Sequence, residues 1–497
     1  MNIQKTGITN SGPRFLAILL ASSLLMACNK SGGGISIEDA LRNQLVSLVA
    51  AANLTGDPST GRTLPSITDP KAQLGKKLFF TKGLGGDSDS ACVTCHHPVL
   101  GGGDNISLAI GVGAETPDLL GPGRFHSIGQ VGGEYDGGPP VPRNSPTTFN
   151  VGLWDQVLFH DGRVESLGKT TGLNGDDGNG IRTPDSAFGV ADPLSGSNLP
   201  TAQSRFPVTS PEEMRGFTNF VGVTNEVLRT GLVNKLSADW GAEFTAAFGD
   251  STVTYARIAE AIGEYERSQV FVNSPWKAFV AGNKTAISDS AVRGAFLFFN
   301  SVNDGGANCA SCHAGDFFTD EGFHVAAFPQ IGRGKGDNNG VLGTDDFGRA
   351  RETGNLADKY KFRTPSLLNV EVTGPWGHAG AFTTLKAAVK HMLDPETSVA
   401  NYDFNQLAPS VQAADMTTNT QFAINQLIAN RAAGVSNVLQ KITLTDSQVD
   451  DLVAFLNSLT DPCVKDRNCL SPWIPNAGDT NPDGLRLNAI DITGNFL

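Results

Sequence analysis

Two short strings of cysteine and histidine carry the strongest chemical signal in this chain: Cys92-Val-Thr-Cys95-His96 and Cys309-Ala-Ser-Cys312-His313. In Cys-x-x-Cys-His the two thiols can bond to the vinyl groups of a haem, and the adjoining imidazole then lies under the iron as its proximal ligand. A zinc site would set its cysteine pairs ~15–20 residues apart, whereas more than two hundred residues separate these two. A thioredoxin-like redox pair would not need the trailing histidine twice. The spacing predicts two covalently bound haem c groups.

Three of the seven cysteines remain. Cys463 and Cys469 enclose five residues near the C-terminus, and in an oxidising compartment a small disulfide loop is the default reading. Cys28 follows an apolar run over residues 15–25 that is too short to span ~30 Å of hydrocarbon. With Lys5 and Arg14 as the only charges ahead of it, residues 1–28 read as a signal peptide. The ending Leu25-Met26-Ala27-Cys28 resembles a bacterial lipobox, which implies that Cys28 is lipidated and becomes the first mature residue. Asn29 then implies delivery to the outer membrane of a Gram-negative bacterium, and residues 29–35 form a flexible tether. The plainer alternative is export with Cys28 incidental.

The elements that must position these groups are helical. Ser36-Ile-Glu-Asp39 resembles a capping box, with Leu41, Leu45, Leu48 and Val49 following at helical spacing. Residues 72–80 predict a short helix before the first haem motif, and 289–299 a helix before the second. Further helices are expected over 253–270 and 383–393, with a last one opened by Thr445-x-x-Gln448. No strong run of alternating strand residues is present. Glycine is 58 of 497 residues and charged residues are 18%, so long ordered loops are expected over 83–138, 168–204 and 305–348. Mean hydropathy is −0.13, which suits a folded globule rather than a disordered or polytopic membrane chain. A formal charge of −13 argues against nucleic acid and favours a basic soluble partner.

With these residues in view, the chain resembles the bacterial dihaem cytochrome c peroxidase family, which includes MauG-like enzymes. The resemblance runs from about Leu74 to Leu459. It rests on Leu74-Gly-Lys-Lys-Leu-Phe-Phe80, Arg143-Asn-Ser-Pro-Thr-Thr-Phe-Asn150, Phe159-His-Asp-Gly-Arg163, Ser210-Pro-Glu-Glu-Met214, Phe362-Arg-Thr-Pro-Ser-Leu-Leu-Asn369 and Thr373-Gly-Pro-Trp-Gly-His378. It implies a mainly α fold of two cytochrome c-like haem domains with long glycine-rich loops. The first, peroxidatic domain would span 36–275 with an insert at about 168–204. The second, electron-transfer domain would span 276–462, and 463–497 would form a tail with the disulfide loop.

The resemblance also assigns roles. His96 and His313 become proximal ligands. Met392, fourteen residues beyond His378, becomes the distal ligand of the second iron, with His391 as the alternative. Glu213 becomes the catalytic acid/base, with Glu212 as the alternative. The register at which many members carry an inhibitory loop histidine holds Val112, so the first iron is expected to be open at rest; His126 is the candidate that could cap it instead. A calcium ion between the haems would take the side chain of Asn144 and the carbonyls of Thr373 and Pro375. His160 stands where the family usually has tryptophan, and Trp376 where it more often has tyrosine. His97 reads as a solvated or backbone-bonded neighbour.

The function so implied is reduction of H2O2 to water with electrons from a small periplasmic cytochrome c or cupredoxin. The alternatives are a MauG-like oxidase acting on a protein or organic substrate, and a non-enzymatic dihaem electron carrier. Membrane contact would be through the lipid anchor alone, and a homodimer is compatible with the resemblance.

Overall fold

A computed structural model describes residues 36–129, 135–337 and 343–497. The expected signal peptide, lipobox with Cys28 and tether lie outside the described residues. The protein is mostly helical with a few very short strands.

Two helix pairs build the frame, and each turns on one glycine. Helix Pro70–Phe79 crosses helix Tyr255–Arg267 so closely that a Cβ on Gly75 would lie 1.9 Å from the Ala261 carbonyl oxygen. Helix Asp289–Phe299 crosses helix Asp446–Asn457 in the same way, with the Cβ position of Gly294 1.9 Å from the Asp451 carbonyl oxygen. In both pairs a Phe-Phe dipeptide follows the crossing glycine by four and five residues, and a Cys-x-x-Cys-His motif comes next along the chain. The glycine admits the backbone contact and the aromatics fill the space beyond it.

Around each pair lies an apolar core. The first gathers Leu78, Phe79, Trp240, Phe244 and Tyr265, and the second Trp276, Phe279, Phe298, Phe318 and Phe455. The chain ends cross over. Helix Ile37–Ala51, capped by Ser36, seats Leu45 and Val49 in the second core, although its place in the chain is beside the first. Val464, Leu470, Leu487 and Ala489 of the C-terminal tail pack into the first core. Cys463 and Cys469 are joined by a disulfide, with Cα atoms 5.3 Å apart.

Residues 168–204 fold into the body of the protein. Ile181–Arg182 pairs with Val164–Ser166, which pairs with Val157–Leu158 in an antiparallel sheet of three strands. Leu199–Gln203 is helical, and Leu199 and Ala202 join a small core with Leu158, Val164 and Phe206. Helix Met416–Ala432, absent from the sequence-based expectation, turns Asn419 and Thr420 inward together with Met416, Ala423, Ile424 and Leu427. Polar residues on the buried face conceal its helical period.

Buried ion pairs tie early and late residues. Arg143 binds Asp161 and, through Nε and Nη2, the Asp346 carboxylate at 2.6 and 2.8 Å. Arg349 binds the Asp161 and Gly162 carbonyls and Glu165. The Glu321 carboxylate accepts the amides of Asp155, Gln156 and Val157.

Candidate functional site

His96 and His313 line one continuous cavity of about 360 Å³. Each ring has its Nδ1 opposite a backbone carbonyl, Gly102 O at 3.2 Å for His96 and Phe318 O at 3.0 Å for His313. That contact selects the tautomer with the proton on Nδ1 and leaves the Nε2 lone pair free for a metal. Burial pushes the pKa of His96 down to about 4 and lowers that of His313, so both rings are neutral. Cys92, Cys95, Cys309 and Cys312 are free thiols, and none is spent in a disulfide. Burial raises the first three, Cys309 to about 12. Two free thiols beside each neutral imidazole match the donor set that haem c requires.

Helix Leu385–Leu393 borders the same cavity as His313. Leu385, Ala388, Val389, Met392 and Leu393 face the cavity at the spacing of one helical face. His391 does not line it; its Nε2 meets the Ala326 carbonyl at 2.9 Å and its ring packs on Phe328. The thioether of Met392 is thus the donor this helix offers to the cavity. His324, which the sequence left unassigned, also lines it and binds Asp320 at 2.8 Å, and their ligand atoms lie within 4.8 Å of the Cys312 sulfur. Glu266 is a second unforeseen residue: it lines the cavity, its Oε2 has no partner, and burial raises its carboxyl to about 8.

The cavity lined by His96 and His313 is also lined by Asn144, His160, Thr373, Pro375 and Trp376. Asn144 Nδ2 donates to Pro375 O at 2.7 Å, while its Oδ1 is buried with no partner. His160 Nε2 lies 3.0 Å from Asn144 O, and burial pushes its pKa down to about 3. Trp154 also lines the cavity, under the Arg363 guanidinium 3.5 Å from its ring. His97 is buried and accepts the Val99 amide at its Nδ1, the backbone-bonded of its two expected settings.

Glu213 sits in a single wide turn, Pro211–Arg215, capped by the Ser210 hydroxyl. Its carboxylate is 3.8 Å from Arg163, and Arg163 lies flat over Phe159 at 3.6 Å. Glu212 instead accepts from Ser210 Oγ at 3.0 Å. Burial raises the Glu213 carboxyl above its ordinary range, Glu212 adds to this, and Arg163 and Lys335 pull the other way. The next residue, Met214, is buried in the first core and fixes the turn.

Against this turn lies the segment that carries Val112. The Val112 amide donates to Glu212 O at 3.2 Å, and a Cβ on Gly111 would be 2.3 Å from Glu213 O. Arg124, which the sequence did not single out, holds the segment by donating to the carbonyls of Ile110, Gly111, Pro117 and Leu119 at 2.7–2.9 Å. Asp89 accepts the Gly113 amide at 2.7 Å. His126 is buried, stacked on Tyr135 at 4.4 Å, and neither ring nitrogen has a partner.

The sequence pattern of di-haem cytochrome c peroxidases matches residues 69–285, which include the first motif, Val112 and Glu213. The chain is 28% identical over 366 residues to the methylamine utilization protein MauG of Methylorubrum extorquens, covering 73% of this chain and 79% of that protein. It is 28% identical over 438 residues to a cytochrome c peroxidase of Denitromonas iodatirespirans, with 84% and 87% covered. These matches support a place for the chain among the di-haem cytochrome c peroxidases, MauG-like enzymes included. The chain is also 27% identical over 326 residues to the cytochrome c551 peroxidase of Pseudomonas aeruginosa, with 66% and 72% covered. Its fold is shared by the diheme peroxidase BthA of Burkholderia thailandensis, with a TM-score of 0.51, 21% identity, and 86% and 92% of the two chains covered. A MauG-like protein associated with microbial copper homeostasis gives a TM-score of 0.53 at 21% identity, over 83% and 97%.

Proposed function

We propose that this protein is a periplasmic di-haem peroxidase that reduces H2O2 to two waters with two electrons and two protons. One haem c is carried by Cys92, Cys95 and His96 in the peroxidatic part of the chain, and the other by Cys309, Cys312 and His313 in the electron-transfer part. When bound, the first supplies an open iron position for O–O cleavage and the second a store for an oxidising equivalent.

The observation that carries this reading is the pairing of Glu213 with Val112. Peroxide cleavage needs a group that takes a proton from one oxygen and returns it to the other. Glu213, partly buried and raised in pKa, suits both acts, since its carboxylate accepts readily and its acid donates readily. Arg163 orients the carboxylate and limits how far its pKa rises. Val112 offers no lone pair, and its segment is bound in place, so the position beside Glu213 stays free for peroxide at rest.

At the second centre His313 and Met392 would hold the haem iron, and a thioether ligand would raise its potential, as a reservoir needs. Between the centres Asn144, Thr373 and Pro375 offer oxygen to a calcium ion. The orphaned Asn144 Oδ1 supports this, because a half-turn of the amide would aim that oxygen, in place of Nδ2, toward Pro375 O. Lipidation of Cys28 would hold the enzyme at the outer membrane, and the acidic surface suits a basic cytochrome c or cupredoxin as donor.

Steady-state oxidation of a reduced small cytochrome c by the haem-loaded protein tests the reading. Peroxide-dependent turnover is expected. Reaction with peroxide without donor oxidation, accompanied by oxidation of a protein or organic substrate, would move the protein to the MauG-like class. Two six-coordinate irons inert to peroxide would make it an electron carrier.

A further inference from the structure

The segment lying on Glu213 has a second face, and that face is built around unpartnered polar groups. Residues 113–115 pair with 125–127 through a bridge between Ala114 and His126, with Ser127 N to Gly113 O at 2.8 Å and Glu115 N to Phe125 O at 3.0 Å. Gly111 rests on the Glu213 backbone, and two residues on, Gly113 meets three side chains at once. Its amide binds Asp89 Oδ2 at 2.7 Å. Its Cβ position lies 2.4 Å from the Tyr135 ring and 3.0 Å from both Tyr135 Oη and His126 Nε2. No side chain but hydrogen fits there, so the glycine keeps Asp89, His126 and Tyr135 together.

The polar atoms of this cluster are left open. Asp89 Oδ1, Ser90 Oγ and both nitrogens of His126 are buried without a hydrogen bond. Buried polar groups are ordinarily satisfied, so a cluster of exceptions calls for an explanation, and a redox or proton-transfer role is one. Tyr135 itself is half-buried, with its ring held between His126 at 4.4 Å and Phe217 at 5.9 Å. Of the other phenols, Tyr265 is bound to the Trp473 carbonyl, Tyr360 to Asp345 and Tyr402 to the Ala381 carbonyl. Tyr255, whose hydroxyl is also without a partner, lies under the Arg229 guanidinium and away from the Gly113 cluster.

We propose that Tyr135 is a redox-active residue of the peroxide site. One electron leaves its ring for the oxidised centre that peroxide generates beside Glu213, and the phenolic proton passes to the Asp89 carboxylate. The tyrosine is oxidised by one electron to a neutral tyrosyl radical, the centre is reduced by one electron, and Asp89 becomes a carboxylic acid. Burial raises the Asp89 carboxyl and Asp87 adds to this, while the Gly113 amide and Arg124 pull the other way; the net direction favours the protonated form. Because Tyr135 is partly open to solvent, a small organic one-electron donor can return the electron while the proton goes back from Asp89. The pair thereby offers oxidising equivalents a way out of the first centre that bypasses the second. This inference rests on the peroxidase reading above.

The test mixes the haem-loaded ferric protein with H2O2, freezes it at intervals and records electron paramagnetic resonance, with the haem optical spectrum followed in parallel. A tyrosyl signal is expected that narrows when ring-deuterated tyrosine is incorporated and vanishes in Tyr135→Phe. Asp89→Asn should lower its yield several-fold. A nitroso spin trap, with the adduct located by peptide mass, should label Tyr135 and nothing else in comparable amount. A tyrosyl signal that survives Tyr135→Phe, an adduct confined to another residue, or an optical response to peroxide with no tyrosyl radical would overturn the proposal. No optical response to peroxide at all would overturn the peroxidase reading and this inference with it.

Discussion

The amide of Val112 is hydrogen-bonded to the carbonyl of Glu212, the residue before the proposed acid/base, at 3.2 Å. A segment that must swing away to admit peroxide would be held loosely, and this one is not. Arg124 closes four bonds to its carbonyls, Asp89 closes one to its amide, and Gly111 leaves no gap against the Glu213 backbone. These bonds hold the segment in place against the Glu213 turn.

Arg124→Ala removes a buried guanidinium and strands four carbonyls. Each neglected acceptor costs on the order of 1 kcal/mol, so a loss of about 3 kcal/mol or more in unfolding free energy is expected from denaturant titration. A change below about 1 kcal/mol would show that the segment does not depend on Arg124.

Glu213→Gln keeps size and hydrogen bonding but cannot relay a proton. The rate of the ferric protein with peroxide should fall by ~10²–10⁴ in stopped flow. The raised pKa fixes the sign of the pH dependence. The carboxylate is the active base, so the rate should fall as pH drops through a value above the ~4.3 of an ordinary glutamate. That acid limb should be absent from the variant.

How much of this could be read from sequence differs residue by residue. The two Cys-x-x-Cys-His strings stand out in sequence because their spacing is fixed, and Met392 stands out by its register after His378. The structure places Met392 on a helix that lines the same cavity as His313. The helix Asp289–Phe299 was placed by its apolar period alone. Arg124 was not legible, because its four acceptors are spread over residues 110–119 and meet only when a glycine-rich loop closes on itself. Glu266 and Tyr135 were hidden for the same reason: one looks like the polar face of a helix, the other like a loop aromatic. The residues at 168–204 read as a long glycine-rich loop, since a two-residue strand and a five-residue helix are too short to show a period.

Met392→Ala should abolish the thioether-to-iron charge-transfer band of the ferric protein and lower the potential of one haem, as read by spectroelectrochemistry. His391→Ala should leave the band in place, since that ring is bonded to Ala326 O and faces away from the cavity. The reverse pattern would assign the ligand to His391.

Arg143 between Asp161 and Asp346 makes a pH-dependent clasp between early and late residues. Despite burial, which opposes it, the guanidinium holds both carboxyls well below their ordinary range. Their contribution is therefore complete above about pH 4, the unfolded value, and is lost as pH falls through the folded values. Arg143→Met should cost about 3–5 kcal/mol at neutral pH by leaving two buried carboxylates unpaired. Asp346→Asn should flatten the fall of stability with acid below pH 4, measured by thermal unfolding across that range.

The central claim is that the first centre is open at rest, with Val112 where a blocking ligand would stand and Glu213 beside it. Mixing the fully ferric, haem-loaded protein with H2O2 in a stopped-flow spectrophotometer, with no reductant present, tests it most directly. A high-spin ferric signal before mixing and a fast haem spectral change after it are predicted. A low-spin protein that stays silent until one electron is added, and that reacts at once as the His126→Ala variant, would show that His126 caps the iron and would contradict the account.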